Sequence, residues 1–279
     1  MIRLSQRSDI NDIISVWNES FGDSEDDIRF FLDSRYIPEN TVVYEHGGKI
    51  VSVLFLLDGY MHINGADYPS YYLYAACTLI EFRGKGIMAQ MLSFAKSLSE
   101  SRNKNFIVLK PGEKSLFGYY EKFGYKTVFS NKIVEINDFH HNQITAINKN
   151  ITCETLKSRE KVFGNINCFK WDSDAVVFAI KHHEYFGGNC YSDSDGYILY
   201  YIKDDVLFVK ESTISDNDKL LNIIGSDNIK SIRIELPVDS DIACNNYEIS
   251  DSGMILPLNN NAEELSSGLK NAYLNLALD

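Results

Sequence analysis

No stretch of these 279 residues is apolar for long enough to cross a bilayer. The longest such run, Ile50–Leu57, falls far short of the roughly 20 residues a membrane helix needs. Met1 is followed at once by a strand-like Ile-Arg-Leu, with no basic-then-apolar leader. A soluble, cytoplasmic protein with no membrane partner is therefore expected. Cysteine is sparse and unpatterned: Cys77, Cys153, Cys168, Cys190 and Cys244 are odd in number, and no two form a CxxC pair. The doublets His140-His141 and His182-His183 lack further ligands at metal-site spacing. That arithmetic argues against a disulfide framework and against a bound metal. Basic charge is also short, with 27 Lys and Arg against 39 Asp and Glu and a net charge of −12. This is the wrong sign for a nucleic-acid partner, whose phosphates demand a basic surface. There is no G-x-G-x-x-G, no Gly-Lys-Ser/Thr at P-loop spacing and no short-period repeat.

What is present is the material of a globular core, with 44% hydrophobic and 13% aromatic residues. The length suits two ordinary domains, and the charge divides between them unevenly. Residues 1–150 carry 16 Lys and Arg against 18 Asp and Glu, whereas residues 151–279 carry 11 against 21. A phosphate-rich ligand meets least repulsion on the first half, and the second half favours cations.

Periodicity gives a coarse reading of the elements. Ile2–Leu4 reads as a strand, followed by a helix with Ile10, Ile13, Ile14 and Trp17 on one face. Ser24–Tyr36 reads as a second helix, stopped by Pro38. Thr41–Glu45 and Lys49–Asp58 form a hairpin around His46-Gly47-Gly48. Past the Asn64-Gly65 turn, Tyr68–Leu79 is a long buried strand. A helix over Ile87–Ser101, a strand over Phe106–Leu109, a short helix over Ser115–Phe123 and a closing strand region over Gly124–Glu135 follow. The fold class expected is α/β (α+β), a mixed, mainly antiparallel sheet flanked by helices.

Residues 1–140 are read as one domain and 150–279 as the second, with polar Ile136–Thr152 as the crossing. The second half reads as a helix over Asp172–Tyr185, a hairpin of Tyr197–Ile202 with Val206–Glu211, a helix over Asp218–Ile224 and a strand over Ser231–Leu236. A hairpin of Tyr247–Ser250 with Met254–Leu258 around Asp251-Ser252-Gly253 and a terminal helix over Ala262–Leu276 complete it.

The segment Arg83-Gly84-Lys85-Gly86-Ile87-Met88-Ala89 stands between a buried strand and an amphipathic helix. A helix start carries unpaired N–H groups and the positive end of a dipole. Gly84 and Gly86 let that backbone approach a phosphate closely, and Arg83 and Lys85 add charge. About thirty residues on stands Leu116-Phe117-Gly118-Tyr119-Tyr120-Glu121-Lys122-Phe123-Gly124-Tyr125. By composition this is an amphipathic helix ended by a glycine cap.

Together the two segments resemble the GNAT (GCN5-related N-acetyltransferase) superfamily over roughly residues 1–135. In that family an Arg/Gln-x-x-Gly-x-Gly/Ala turn binds the pyrophosphate of acetyl-CoA. Arg83, Gly86 and Met88 occupy those three positions, with Met88 standing where the family usually has a small residue. The family's conserved tyrosine falls on Tyr120. A fainter resemblance extends over residues 197–258, in which GYILYYI, LFVKES, IRIELPVD and GMILPL follow in order. These look like the degenerate second domain of the tandem, Eis-like acetyltransferases, which lacks the CoA turn. The sterol-carrier-like third domain of those proteins is not expected here.

The resemblance implies an N-acetyltransferase in which an amine attacks the thioester directly, with Tyr120 as general acid toward the leaving sulfur. Ala76, Cys77 and Thr78 at the strand end would touch the cofactor. So would Arg83, Gly84, Lys85, Gly86, Ile87, Met88 and Ala89 in the turn, and Ser115 and Leu116 beyond it. A Cys77 nucleophile is the lesser reading, because a cysteine inside an apolar strand is more often inert. Glu81 and Glu113 lie near the motifs as candidate bases. In the tandem family the terminal carboxylate reaches the active site, which makes Asp279 a further catalytic expectation. The acceptor expected is a small-molecule or peptide amine, cationic and bound between the two domains, and a homo-oligomer is allowed. The alternative is a non-catalytic acyl-CoA-binding sensor or scaffold, which would need the turn but not Tyr120.

Overall fold

A computed structural model describes residues 1–137, 153–214, 220, 229–240 and 247–276. The chain separates into two compact units whose segments interleave. The first comprises Met1–Tyr60, Tyr68–Thr127 and Met254–Gly268, and the second Met61–Asp67, Val128–Gly253 and Leu269–Asp279.

In the first unit, strands β1 (Ile2–Leu4), β2 (Thr41–His46), β3 (Lys49–Ile63), β4 (Ala66–Thr78), β5 (Phe106–Leu109) and the end of β12 (Tyr247–Pro257) lie side by side in that order. The neighbours run antiparallel at β1–β2, β2–β3 and β5–β12, and parallel at β4–β5. Helices α1 (Ile10–Phe21), α2 (Glu25–Arg35), α3 (Ile87–Ser101), α4 (Ser115–Glu121) and α7 (Asn260–Ser266) belong to this unit. The sheet forms because β3 is almost continuously buried: Val53, Leu54, Phe55 and Leu56 are each 1% exposed or less. Ile87, Met91, Leu92 and Ala95 recur at helical spacing on α3 and pack with Leu54, Leu56, Ile107 and Leu256. Met254 and Leu256 come from late in the chain yet complete this early core.

In the second unit the order is β6 (Lys126–Asn137), β11 (Ser231–Pro237), β10 (Val206–Ser212), β9 (Gly196–Lys203) and β8 (Asn189–Asp193). Its pairings run antiparallel at β9–β10, parallel at β10–β11 and antiparallel at β11–β6. Helices α5 (Cys153–Phe163) and α6 (Ser173–Tyr185) and the short strand β7 (Cys168–Lys170) belong here. Ile198, Leu207, Val209, Ile232 and Ile234 form its core.

Several sequence expectations need correction. The turn expected at Asp251-Ser252-Gly253 does not form, and Tyr247–Pro257 is one continuous strand. Pairing with β5 holds Met254–Pro257 extended and outweighs a turn signal whose Gly253 never takes positive φ. The terminal helix ends at Ser266 rather than Leu276. After it the chain reaches Asn271 at φ +56°, and Ala272 and Tyr273 bridge to Phe129 and Cys168. β6 continues through Ile136 and Asn137, residues expected in the crossing segment. The helix expected over 218–224 lies outside the described residues except for Leu220. Helix α5 and strands β7 and β8 were not anticipated.

Candidate active site

The register of β4 sets up the site. Its pairing with β5 runs Ser70↔Phe106, Tyr71↔Ile107 and Tyr72↔Val108, and β4 then continues to Thr78 beyond that ladder. Parallel neighbours that stop pairing leave one edge of the longer strand without ladder partners from the other. Within this stretch Ala75 sits at φ +46°, a left-handed conformation that costs a residue with a Cβ about 1–2 kcal/mol. A local departure of this kind re-aims the strand's amides and is found next to functional sites.

The strand end is tied down from several sides. Ser52 Oγ donates to the Cys77 carbonyl at 2.7 Å and lies 2.8 Å from Thr78 Oγ1. Leu79 N–H donates to the Val51 carbonyl, and Ile80 N–H donates to Glu19 Oε1 at 2.7 Å. Arg83 Nε reaches back to the Thr78 carbonyl at 2.8 Å. Arg83 therefore spends one donor closing the turn and keeps an exposed guanidinium. Ser52 and Glu19, from β3 and α1, had no local signal in the sequence. They act through a pairing that only the folded sheet reveals.

Gly84 and Gly86 each hold φ +74°, and a Cβ built at either would meet nothing within 4 Å. The glycines are thus demanded by backbone conformation, and the space beside them is open. Gly86 is the N-cap of α3, which has no side-chain cap and no acidic residue in its first turn. By contrast, Ser24, Asp172 and Asn259 cap α2, α6 and α7 with their side chains. The first amides of α3, at Ile87, Met88 and Ala89, are left for an external acceptor. Lys85 and Arg83 are exposed beside them, with Lys85 Nζ 4.8 Å above the Phe82 ring. Such a turn suits a phosphate group. Met88 is half-buried and packs on the core, so its side chain does not fill the turn.

Ala76 is half-buried, whereas Cys77 is 5% exposed and burial pushes its thiol up to about 12. A buried thiol held protonated does not serve as a nucleophile, and Cys77 can offer a ligand only its backbone. Ser115 is exposed and donates to Glu113, and Leu116 is half-buried against the core. Glu81 and Glu113 are both exposed.

Tyr120 lies on α4 with 9% of its surface exposed, edge-on to Tyr119 at 5.4 Å and to Tyr125 at 5.6 Å. Burial, with a smaller contribution from Tyr119, pushes its phenol up to about 12. Its hydroxyl makes no hydrogen bond with any described residue. It is a protonated donor without an acceptor among the described residues. Asp279 lies outside the described residues. No group of three His, Cys, Asp or Glu among the described residues could hold a metal ion, and no helix among them is long and apolar enough to cross a membrane.

The β4–β5 ladder that ends at Tyr72 and the open glycine turn at the start of α3 form the candidate site. Residues 1–128 match the family model described as Acetyltransferase (GNAT) domain. Comparison with curated proteins gives no match. Among solved structures the fold is similar to a GCN5-related N-acetyltransferase from Kribbella flavida, at 14% identity and TM-score 0.68, covering 97% of this chain and 74% of the other. It is also similar to Eis1 from Mycobacterium abscessus, at 13% identity and TM-score 0.69 over 93% and 74% of the two chains. A GCN5-related N-acetyltransferase from Anabaena variabilis aligns at 15% identity and TM-score 0.71 over 93% and 73%. These likenesses span both units and concern the fold.

Proposed function

We propose that the chain transfers an acetyl group from acetyl-CoA to an amine of a small molecule or peptide. The observation that carries this reading is the uncapped start of α3 behind Gly84 and Gly86, whose amides and flanking cations suit the pyrophosphate of CoA. When bound, acetyl-CoA supplies the acyl group as a thioester. Arg83, bonded to Thr78, keeps the turn in shape, and the turn amides with Lys85 hold the phosphates. The amides of β4 beyond Tyr72 are suited to orient an acyl carbonyl and to steady negative charge as it develops on that oxygen.

Tyr120 is assigned the general acid toward the leaving sulfur. A phenol near 12 is a weaker acid than a thiol near 8.5. Complete transfer to a thiolate is therefore uphill by about 5 kcal/mol. The phenol acts first as a hydrogen-bond donor that strengthens as sulfur gains charge, and releases its proton late. The acceptor is read as a cationic amine that must lose a proton before attack, as the acidic second half suggests.

A second reading, an acyl-CoA-binding sensor, draws on the burial of Tyr120 and the exposure of Glu81 and Glu113. CoA release measured with a polyamine, an aminoglycoside and a neutral arylamine separates the two. Turnover with at least one of them, rising with pH through the neutral range, supports transfer. Tight CoA binding without turnover on any supports the sensor.

A further inference from the structure

β4 and β5 run parallel, so both strands finish toward the same edge of the first unit's sheet. The glycine turn and α3 follow β4 there, and residues 110–114 and then α4 follow β5. Met88 near the start of α3 and Leu116 and Phe117 near the start of α4 pack on one core cluster. The two helix starts therefore share one end of the unit, the end at which open α/β sheets bind ligands.

The charged side chains brought to this edge are mostly basic. Glu81, Arg83 and Lys85 stand between β4 and α3, and Lys110, Glu113 and Lys114 between β5 and α4. That makes four cations against two carboxylates in a chain whose net charge is −12. Elsewhere in the unit many cations are matched: Arg3 with Asp9 and Glu45, Arg29 with Glu25, Lys104 with Asp58 and Lys126 with Glu263. Lys114 is exposed and makes no ion pair or hydrogen bond with any described residue. Its neighbour Glu113 accepts from Ser115 Oγ instead. Lys122 also has no carboxylate partner among the described residues, but it stands at the far end of α4. An ammonium left unmatched at the edge raises the local potential for an anion.

Acetyl-CoA brings two separate anionic centres, its pyrophosphate and the 3′-phosphate of its ribose. The first amides of α3 with Arg83 and Lys85 suit the pyrophosphate. The second centre calls for a second cation at the same edge, and Lys114 supplies one from the neighbouring strand. A phosphate monoester carries between one and two negative charges near neutral pH, and lysine meets it as a point charge on a flexible stem. We infer that Lys114 binds the 3′-phosphate of acetyl-CoA and so selects CoA over carriers that lack this group. This role rests on the acetyl-CoA reading of the α3 turn.

Binding rather than turnover is the readout. Calorimetry compares CoA with dephospho-CoA, which differs by the 3′-phosphate alone, in wild type, Lys114→Gln and Lys96→Gln. Lys96 lies further along α3, is exposed and approaches Glu100 only to 3.9 Å, so its loss changes net charge equally but away from the edge. Both lysines are exposed, so both variants keep the fold.

At low salt, wild type is expected to bind CoA at least about fivefold more tightly than dephospho-CoA. That preference should fade near 1 M salt, where the screening length is about 3 Å. Lys114→Gln should lower CoA affinity by about the same factor, leave dephospho-CoA affinity unchanged and erase the preference. Lys96→Gln should keep it. A preference that survives in Lys114→Gln, that Lys96→Gln reduces equally, or that wild type never shows would overturn the role of Lys114 and leave the α3 turn as a CoA site. A wild type that binds neither carrier would overturn both.

Discussion

Replacing Tyr120 by phenylalanine separates packing from chemistry, because the ring is buried while the hydroxyl has no hydrogen-bond partner among the described residues. The ring contacts with Tyr119 and Tyr125 survive the change. Losing a hydroxyl that bonds to no described residue leaves no orphaned group behind, so stability at pH 7 should move by less than about 1 kcal/mol. Activity should respond differently. Removing a general acid lowers turnover by about 10²–10⁴-fold, or roughly 3–5 kcal/mol of transition-state stabilisation. The pH dependence of stability supplies a second reading. The folded phenol titrates near 12, above its ordinary value of 10.0. Below the ordinary value both folded and unfolded states hold the proton and the contribution is fully present. Between about 10 and 12 only the folded state holds it, so the wild type loses about 3 kcal/mol across that window, roughly half of it by pH 11, while the phenylalanine variant has no such loss at this position. Denaturant melts of both proteins at pH 9 and pH 11, with CoA release followed at pH 7 to 9, measure both effects. Because the phenol stays protonated throughout that range, no descending limb below pH 10 should arise from it. A variant with wild-type turnover on its best amine would refute the acid role and return Tyr120 to packing.

Cys77→Ala should retain turnover within about twofold and lose about 1–2 kcal/mol of stability, since the thiol is buried and held protonated. Trapping of an acetylated Cys77 would contradict this. Ala75→Gly relieves a positive φ while adding unfolded-state entropy, so its stability should stay within about 1 kcal/mol of wild type. Ala76→Gly, at a neighbour without positive φ, should lose about 1 kcal/mol, and equal losses at both positions would argue against strain at Ala75. The pH-rate profile on a polyamine should rise through the neutral range as the acceptor amine deprotonates. A flat profile would point to a different limiting step.

The strength of the local signals explains which parts of the fold were legible. Apolar spacing of 3.6 marked α1 and α3, and paired glycines marked the β2–β3 turn, because tertiary context there agrees with local preference. The turn at Arg83–Ala89 was equally legible, since glycine at positive φ before an amphipathic helix leaves a clear trace. Other features depend on long-range pairing. Asp251-Ser252-Gly253 carries every local mark of a turn, yet Met254–Pro257 is held extended against β5, more than 140 residues away in sequence. Ser52 and Glu19 looked like ordinary polar residues until the sheet and α1 brought them to the Cys77–Ile80 backbone. The strain at Ala75 was hidden because alanine gives no sign of a left-handed backbone.

Whether the turn before α3 grips CoA is read by calorimetric titration of CoA into wild type and Gly86→Asp. Aspartate tolerates the left-handed conformation at a cost of about 1 kcal/mol, so the variant should remain folded. Its carboxylate would stand at the helix start. At roughly 5 Å from a phosphate charge, with an effective dielectric near 20, repulsion is about 3 kcal/mol, or more than about a hundredfold in affinity. Wild type is expected to bind CoA measurably, and a folded Gly86→Asp protein to have lost that binding. Equal affinity in the two proteins would contradict it.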